Sequence, residues 1–133
     1  MELFFGFLKA RAKPAPKNIN ATYKTVKMIY EIELSNEYAN QEFDIDIPGA
    51  VVNIHVLLQT NENNALLMSV FVNNELLGWP FTCRPNEFVL PYSYMQSILG
   101  GNFLFETVSD NYPNFENFGD ECKLNFVTLD EIK

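Results

Sequence analysis

Two aspartates, Asp44 and Asp46, stand two positions apart among apolar residues. Alternate residues of a strand point to the same side, so these two carboxylates share one face. Paired carboxylates are the catalytic groups of glycoside hydrolases, where one serves as acid and the other as base or nucleophile. However, Phe43, Ile45 and Ile47 occupy the opposite face, which is the pattern of a half-buried strand with a polar side in water. The alternation therefore favours a solvated face over a catalytic pair.

The single histidine, His55, is the other candidate for acid–base chemistry. It stands between Ile54 and Val56, and on an extended segment it points away from both. No Ser, Cys or Asp lies at a spacing typical of a nucleophile–histidine arrangement. The sequence favours a surface or interface histidine, and with no other catalytic motif we expect a protein that is not an enzyme.

Metal and cofactor sites have little support. One histidine and two widely separated cysteines, Cys83 and Cys122, do not make an ordinary zinc site. Carboxylate and amide side chains gather in residues 110–121, but their spacing is not that of a calcium loop. We expect no metal and no cofactor. The two thiols are expected to be reduced and buried in the core, and a disulfide between them is the alternative.

Gly100-Gly101 is not a phosphate-binding loop, because the lysine and the flanking elements of such a loop are missing. The pair predicts a helix that ends at Gly100, followed by an abrupt entry into a strand. We take as a hypothesis that Gly101 needs a positive φ there.

The elements that must position these residues are strands. Twelve Phe and six Tyr favour pleated, half-buried surfaces, so the expected class is all-β. The alternating patterns predict a single β-sandwich or closed β-barrel of about eight short strands, with one short helix before the Gly-Gly turn. The predicted strands are 29–34, 43–47, 51–59, 66–72, 76–82, 88–92, 102–108 and 122–129, and the predicted helix is 92–99.

Three local features refine this prediction. Residues 66–72 are apolar on both faces, which indicates a central strand. Asn73-Asn74 follows and is typical of a tight hairpin turn, since asparagine tolerates positive φ. The next strand contains Gly78-Trp79-Pro80, and because Pro80 cannot donate a ladder hydrogen bond, this strand is expected to lie at an edge or to bend there.

Charge divides the chain at residue 28. Residues 1–27 hold six Lys or Arg and one acid, whereas residues 28–133 hold three basic and sixteen acidic residues. We interpret 1–27 as a basic N-terminal arm, or as an extension ahead of a start at Met28, and 28–133 as an acidic β-domain. The acidic domain should repel nucleic acid. No run has the length of a transmembrane helix and no secretory signal is convincing, so a soluble protein made in a cytosol is expected.

Several aromatic residues are candidates for an interface. Tyr112, Phe115 and Phe118 belong to a long loop that contains Pro113 and ends at Gly119. Aromatic residues on such a loop either anchor it to its own domain or fill pockets on a partner, and the sequence does not choose between the two. Trp79, beside Pro80, could likewise pack in the core or form part of an interface. For Trp79, core packing is favoured.

The order and spacing of these segments resemble the bacteriophage baseplate plug proteins, which are small components of tail baseplates. The resemblance runs from about residue 29 to residue 127. It departs from the family pattern at Val89-Leu90-Pro91-Tyr92, where an acidic helix start is more usual, and residues 1–27 have no counterpart. The segments that carry it are 43–47, 51–72, Gly78-Trp79-Pro80, 95–101, 103–105, 113–119 and 124–127.

The resemblance implies a non-enzymatic virion structural protein near the central hub of a contractile-type tail baseplate. It implies a plug-type protein that binds the hub, the tube initiator or the spike region, is multimeric within the assembly, and is assembled in the host cytoplasm. From the residues alone the alternative is a carbohydrate-binding β-sandwich module, in which Trp79 and exposed Tyr residues would stack on sugar rings.

Overall fold

The computed structural model describes residues 13–14, 26–46 and 52–129. In these ranges the chain forms nine β-strands, one α-helix and two short 3₁₀ turns. The strands are β1 (Lys13–Pro14), β2 (Val26–Ile32), β3 (Gln41–Ile45), β4 (Ile54–Thr60), β5 (Leu66–Val72), β6 (Glu75–Leu76), β7 (Phe81–Thr82), β8 (Gly101–Thr107) and β9 (Cys122–Leu129); the helix is α1 (Ser93–Leu99), and the 3₁₀ turns are Val108–Asp110 and Phe115–Asn117.

The strands make two antiparallel sheets. One has the order β1-β2-β9-β8, and the other has the order β3-β4-β5-β6 with β7 also on β5. The inward side chains of both sheets and of α1 form one hydrophobic core. Its largest fully buried members are Phe43, Phe103, Phe105 and Phe126. The all-β prediction is confirmed. A closed barrel is not supported, since neither sheet closes on itself within the described residues.

The five-stranded sheet bears out the local predictions for residues 66–82. β5 lies between β4 on one side and β6 and β7 on the other, so it is a central strand. Asn73 and Asn74 both have positive φ, 49° and 72°, and close the β5–β6 hairpin. The following segment pairs with β5 twice, as β6 and as β7, and between these it leaves the ladder at Gly78-Trp79-Pro80.

The predicted strand at 88–92 is wrong. Phe88 makes a single bridge to Leu104, and the N–H of Val89 donates to the Phe103 carbonyl oxygen at 2.9 Å. Beyond that point the backbone of Leu90 is bonded by a side chain, that of Asn102. Pro91 has no N–H to continue a ladder, so the segment leaves the sheet and leads into the helix.

Two other boundaries differ from the sequence prediction. β4 begins at Ile54 instead of residue 51, and Pro48-Gly49, the predicted stop of the second strand, lies outside the described residues. β2 begins at Val26 instead of residue 29, so residue 28, where the charge of the chain divides, lies within a strand. The Lys13–Pro14 part of the basic arm pairs with β2, with Lys13 opposite Glu31.

The two glycines after the helix have different structural roles. α1 ends at Gly100, as predicted, because Gly100 adopts φ 72° and its N–H donates to the Gln96 carbonyl oxygen. Gly101 does not have a positive φ, so that hypothesis is wrong. It is instead a close-approach glycine: a Cβ there would overlap the Val127 carbonyl oxygen and lie 2.7 Å from Cζ of Phe126.

We predict that Gly101→Ala lowers the free energy of unfolding by about 1–3 kcal/mol, the usual range for forcing extra volume into a packed core. Gly100→Ala should cost about 1–2 kcal/mol for a different reason, the left-handed backbone, because open space surrounds that position. Gly100→Asn is the matched control and should cost less, since asparagine tolerates this conformation. Urea unfolding measures all three, and an unchanged midpoint for Gly101→Ala would contradict the close approach.

Both cysteines are free thiols buried in the core. Burial raises the pKa of Cys83, and the neighbouring Cys122 raises it further. Burial likewise raises the pKa of Cys122 to about 12, although a backbone hydrogen bond from Asn114 opposes this. Thiols held protonated in this way are poor nucleophiles.

The thiols should make the fold sensitive to alkali. An unfolded cysteine loses its proton above its ordinary pKa of 9.0, whereas the folded protein keeps both protons, so ionisation favours the unfolded state. We expect the free energy of unfolding to fall by about 1.4 kcal/mol per pH unit for each thiol above pH 9. Urea unfolding at pH 8 and pH 10 tests this. A Cys83→Ala, Cys122→Ala variant should lack this part of the pH dependence, and an identical slope in the two proteins would contradict it.

Candidate protein-binding surface

Four large side chains make an exposed aromatic surface around α1. They are Trp79, Tyr92, Tyr94 and Ile98, with exposed fractions of 50%, 47%, 56% and 43%. The rings contact one another: Trp79 meets Tyr92 edge-on with centroids 6.0 Å apart, and Tyr92 stacks on Tyr94 at 6.0 Å. Below them, Trp79 packs on the buried Phe81 at 5.1 Å. We call these four residues the aromatic surface.

The interruption between β6 and β7 places Trp79 over the helix. Gly78 has φ 72°, and a Cβ on it would lie 2.7 Å from Cε of the buried Met95. The left-handed backbone and the space left for the Met95 side chain both favour glycine here, and Gly78 thereby brings the segment between β6 and β7 against α1. Met95 and Leu99, one helical turn apart, face the core, so Tyr94 and Ile98 are left on the outer side.

The side-chain amide of Asn102 holds the segment that carries Tyr92. Its Oδ1 accepts from the Leu90 N–H at 2.9 Å, and its Nδ2 donates to the Leu90 carbonyl oxygen at 2.9 Å. The same Oδ1 also accepts from the Phe103 N–H at 2.8 Å. Asn102 is fully buried, so it replaces the ladder partners that the backbone of Leu90 would otherwise lack.

The aromatic surface is electrically neutral on an acidic protein. Residues 76–82 and 92–100 contain no charged side chain, although residues 28–133 hold sixteen acids and three basic residues. Contiguous apolar and aromatic area without charge is typical of the buried centre of a protein interface. The surface therefore has the composition of a docking site and offers nothing that could perform acid–base chemistry.

The long loop after β8 divides its aromatic residues between core and solvent. Phe118 is 4% exposed and stacks on Phe105 with centroids 6.0 Å apart. Phe115 packs partly buried against the core, and Pro113 is buried beside them. Tyr112 is 64% exposed. The loop is thus anchored to its own domain by three side chains and presents the fourth outward.

The structure separates the interface candidates into two groups. Trp79 and Tyr112 are exposed, whereas Phe115 and Phe118 serve as anchors. The loop turns back toward β9 at Gly119, which has φ 122° and donates its N–H to the Cys122 carbonyl oxygen at 2.9 Å.

The sequence analysis did not identify Tyr92, Tyr94 and Ile98 as interface candidates. The available signal was a second apolar stripe on the helix, at 94 and 98, beside the core stripe at 95 and 99.

The acidic strand β3 carries no catalytic arrangement in the described residues. Nδ1 of His55 lies 2.7 Å from Oδ1 of Asp44, and its Nε2 lies 3.4 Å from Oε2 of Glu42. These three side chains stand on the outer face of the sheet, and Asp46 follows the end of β3 in solvent. A cavity of about 50 Å³ lies elsewhere, between β2 and β9, and is far smaller than a typical ligand site.

The described residues bring together no group of three His, Cys, Asp or Glu side chains placed to hold a metal ion. In the same part of the chain, no helix has both the length and the apolar character required to cross a membrane.

Comparison with known families identifies the family of the chain. The model of a family described as cyanophage baseplate Pam3 plug gp18 matches residues 29–130, which includes nearly all of both sheets and the aromatic surface. The chain belongs to this family of phage baseplate plug proteins. No curated protein matches the chain significantly. The resemblance that the sequence motifs indicated is therefore confirmed.

We predict that removing the Asn102 amide destabilises the aromatic surface of this plug protein. Asn102→Leu keeps much of the side-chain volume but leaves the Leu90 N–H without a partner. The Leu90 carbonyl oxygen keeps only its bond from Gln96 at 3.2 Å, so the change should cost about 1–3 kcal/mol. Urea unfolding measures the loss, and Trp79 fluorescence should report a wetter indole before global unfolding. Asn63→Leu, on an exposed turn, is the control. A variant at 102 that is as stable as this control would contradict the role of Asn102.

Proposed function

We propose that this protein is a non-enzymatic structural component of a phage tail baseplate and that it binds neighbouring subunits through the aromatic surface. Membership of the plug family supports the baseplate context. The observation that carries the binding mode is the uncharged cluster of Trp79, Tyr92, Tyr94 and Ile98 on the surface of an acidic domain.

The finer assignment follows the family resemblance. We propose a plug-type protein of a contractile tail that contacts the hub, the tube initiator or the spike region, is multimeric within the baseplate, and is assembled in the host cytoplasm before it becomes part of the virion. A single hydrophobic core shared by both sheets suits a static structural part.

The energetics of the aromatic surface favour protein binding. Trp and Tyr are enriched among the residues that dominate interface energies, because each buries much apolar area and loses few rotamers. Their indole N–H and phenol groups can pair at the rim of an interface. An acidic partner could also approach this surface without meeting a carboxylate on residues 76–82 or 92–100.

The described residues contain no catalytic arrangement. This agrees with a structural role, but the proposal does not rest on it. His55 has a carboxylate near each ring nitrogen, Asp44 and Glu42. Both nitrogens are thus already engaged, and no nucleophilic side chain completes a catalytic set there.

A carbohydrate-binding module is the second candidate, and the same rings favour it. Exposed Trp79 and Tyr94 could each stack on a sugar. The edge-on contact between Trp79 and Tyr92 makes a compact cluster instead of a flat platform, so we place protein binding first. A glycan array separates the two candidates.

The test is capture of tagged full-length protein with the hub and tube-initiator subunits of the same phage. We expect a Trp79→Ala, Tyr94→Ala variant to bind at least tenfold more weakly, since each lost anchor typically costs about 1–2 kcal/mol or more. Tyr38→Ala is the matched control, because Tyr38 is 41% exposed and lies outside the aromatic surface. Its binding should be unchanged.

Urea unfolding of every variant separates lost contacts from lost folding. Wild-type protein that captures neither subunit would contradict the proposed function. Equal binding by both variants would contradict the assigned surface. Selective binding to the glycan array, lost in the double variant, would favour the carbohydrate module.

A further inference from the structure

We infer that the loop at 108–121, the Tyr112 loop, is a second docking surface and fits an apolar pocket bordered by Lys or Arg on a different baseplate subunit. The inference rests on the proposed function and extends it, because a plug protein with two separate surfaces would join two subunits instead of attaching to one.

The Tyr112 loop exposes two large apolar side chains. Tyr112 and Val108 have exposed fractions of 64% and 57%, the highest among the large hydrophobic residues that the structure describes. Neither is needed to anchor the loop, since Phe118 and Phe115 already pack against the core. Their exposure costs solvation in the isolated protein, and a partner that covered them would recover it.

Side-chain hydrogen bonds hold the start of the loop in this conformation. Ser109 and Asp110 both have positive φ, 60° and 55°, which is uncommon for residues other than glycine. The Asn86 amide bonds the residues on either side of Ser109: its Nδ2 donates to Oδ1 of Asp110 at 2.8 Å, and its Oδ1 accepts from the Thr107 N–H at 3.0 Å. A side chain presented on a pre-ordered loop loses little entropy when it binds.

The Tyr112 loop and the aromatic surface lie at opposite ends of one strand. α1 precedes β8 directly, and the Tyr112 loop follows β8 directly. β8 runs from Gly101 to Thr107, and at about 3.3 Å per residue this strand spans about 20 Å between α1 and the loop. We therefore expect a partner docked at one end of β8 to leave the other end free.

Charge distinguishes the partner of the loop from the partner of the aromatic surface. Residues 108–121 hold four exposed acids, Asp110, Glu116, Asp120 and Glu121, and no Lys or Arg. A partner that receives Tyr112 must therefore tolerate the negative charge of this loop, which a basic rim does. A second copy of the acidic domain is unsuited, because residues 28–133 hold only three basic side chains.

Photo-crosslinking within assembled baseplates tests the inference. Benzoylphenylalanine replaces Tyr112, Trp79 or, as the control, Tyr38, and crosslinked peptides from purified particles are identified by mass spectrometry. We expect position 112 to capture one subunit through a peptide containing Lys or Arg, position 79 to capture a different subunit, and position 38 to capture neither.

Each outcome bears on a different claim. Crosslinks at 79 with none at 112, or crosslinks from both positions to the same subunit, would overturn the bridging role while leaving the proposed function in place. Capture of another copy of this chain at 112 would also overturn it. If the protein is missing from purified particles, the proposed function itself fails, and the bridging role fails with it.

Salt dependence provides an independent measurement on the subunit captured at 112. Its affinity for the full-length protein should fall severalfold or more between 50 and 300 mM NaCl, because exposed charges are screened over this range. An Asp120→Asn, Glu121→Gln variant should show a weaker dependence. Affinity that does not change with salt in either protein would exclude the basic rim.

Discussion

The close contact between Gly101 and β9 is the constraint on which the exposed surfaces depend. With no side chain, Gly101 lies against the Val127 carbonyl oxygen and the Phe126 ring, so β8 can start immediately after the helix ends at Gly100. This register places the next residue, Asn102, where its amide can bond both backbone groups of Leu90. That junction adds to the core packing of Met95 and Leu99 in fixing α1 and Tyr92 relative to the sheets.

The rest of the architecture follows from how two open sheets share one core. Their inner faces supply Phe, Leu and Val in alternation, and this leaves function to the ends of the strands and to the edge at β6 and β7. One end of β8 meets a neutral aromatic cluster, and the other meets an acidic loop with one exposed ring. We propose from this contrast in charge that each end binds a different class of partner.

The sequence was sufficient for features that depend on local chemistry. The predicted alternation over the described strand residues 43–45, the Asn73-Asn74 turn and the helix stop at Gly100 each depend on neighbouring residues, and each is confirmed. The sequence was insufficient for features that depend on contacts with residues far away in the chain. Gly101 is required because of its contacts with Val127 and Phe126 on β9, which are distant in sequence. The strand pairing of the segment that starts at Phe88 ends after Val89 because the side chain of Asn102 bonds Leu90. Neither feature could be deduced from the spacing of nearby residues.

The aromatic residues show the same limit. A phenylalanine on a loop is equally compatible with an anchor and an interface until its neighbours are known, and Phe118 proves to be stacked on Phe105. From the sequence, core packing was the favoured prediction for Trp79. In the structure, the chain leaves the ladder next to Gly78, and half of the Trp79 side chain is exposed. Family membership supplies the baseplate context that physical reasoning about single residues does not.

The most direct test of the central claim is a cryo-electron microscopy structure of the assembled baseplate at side-chain resolution. The account predicts that Trp79 and Tyr94 are buried against a hub or tube-initiator subunit, with their rings inside the contact. A baseplate in which both rings face solvent, while this protein is held by other surfaces, would contradict the account.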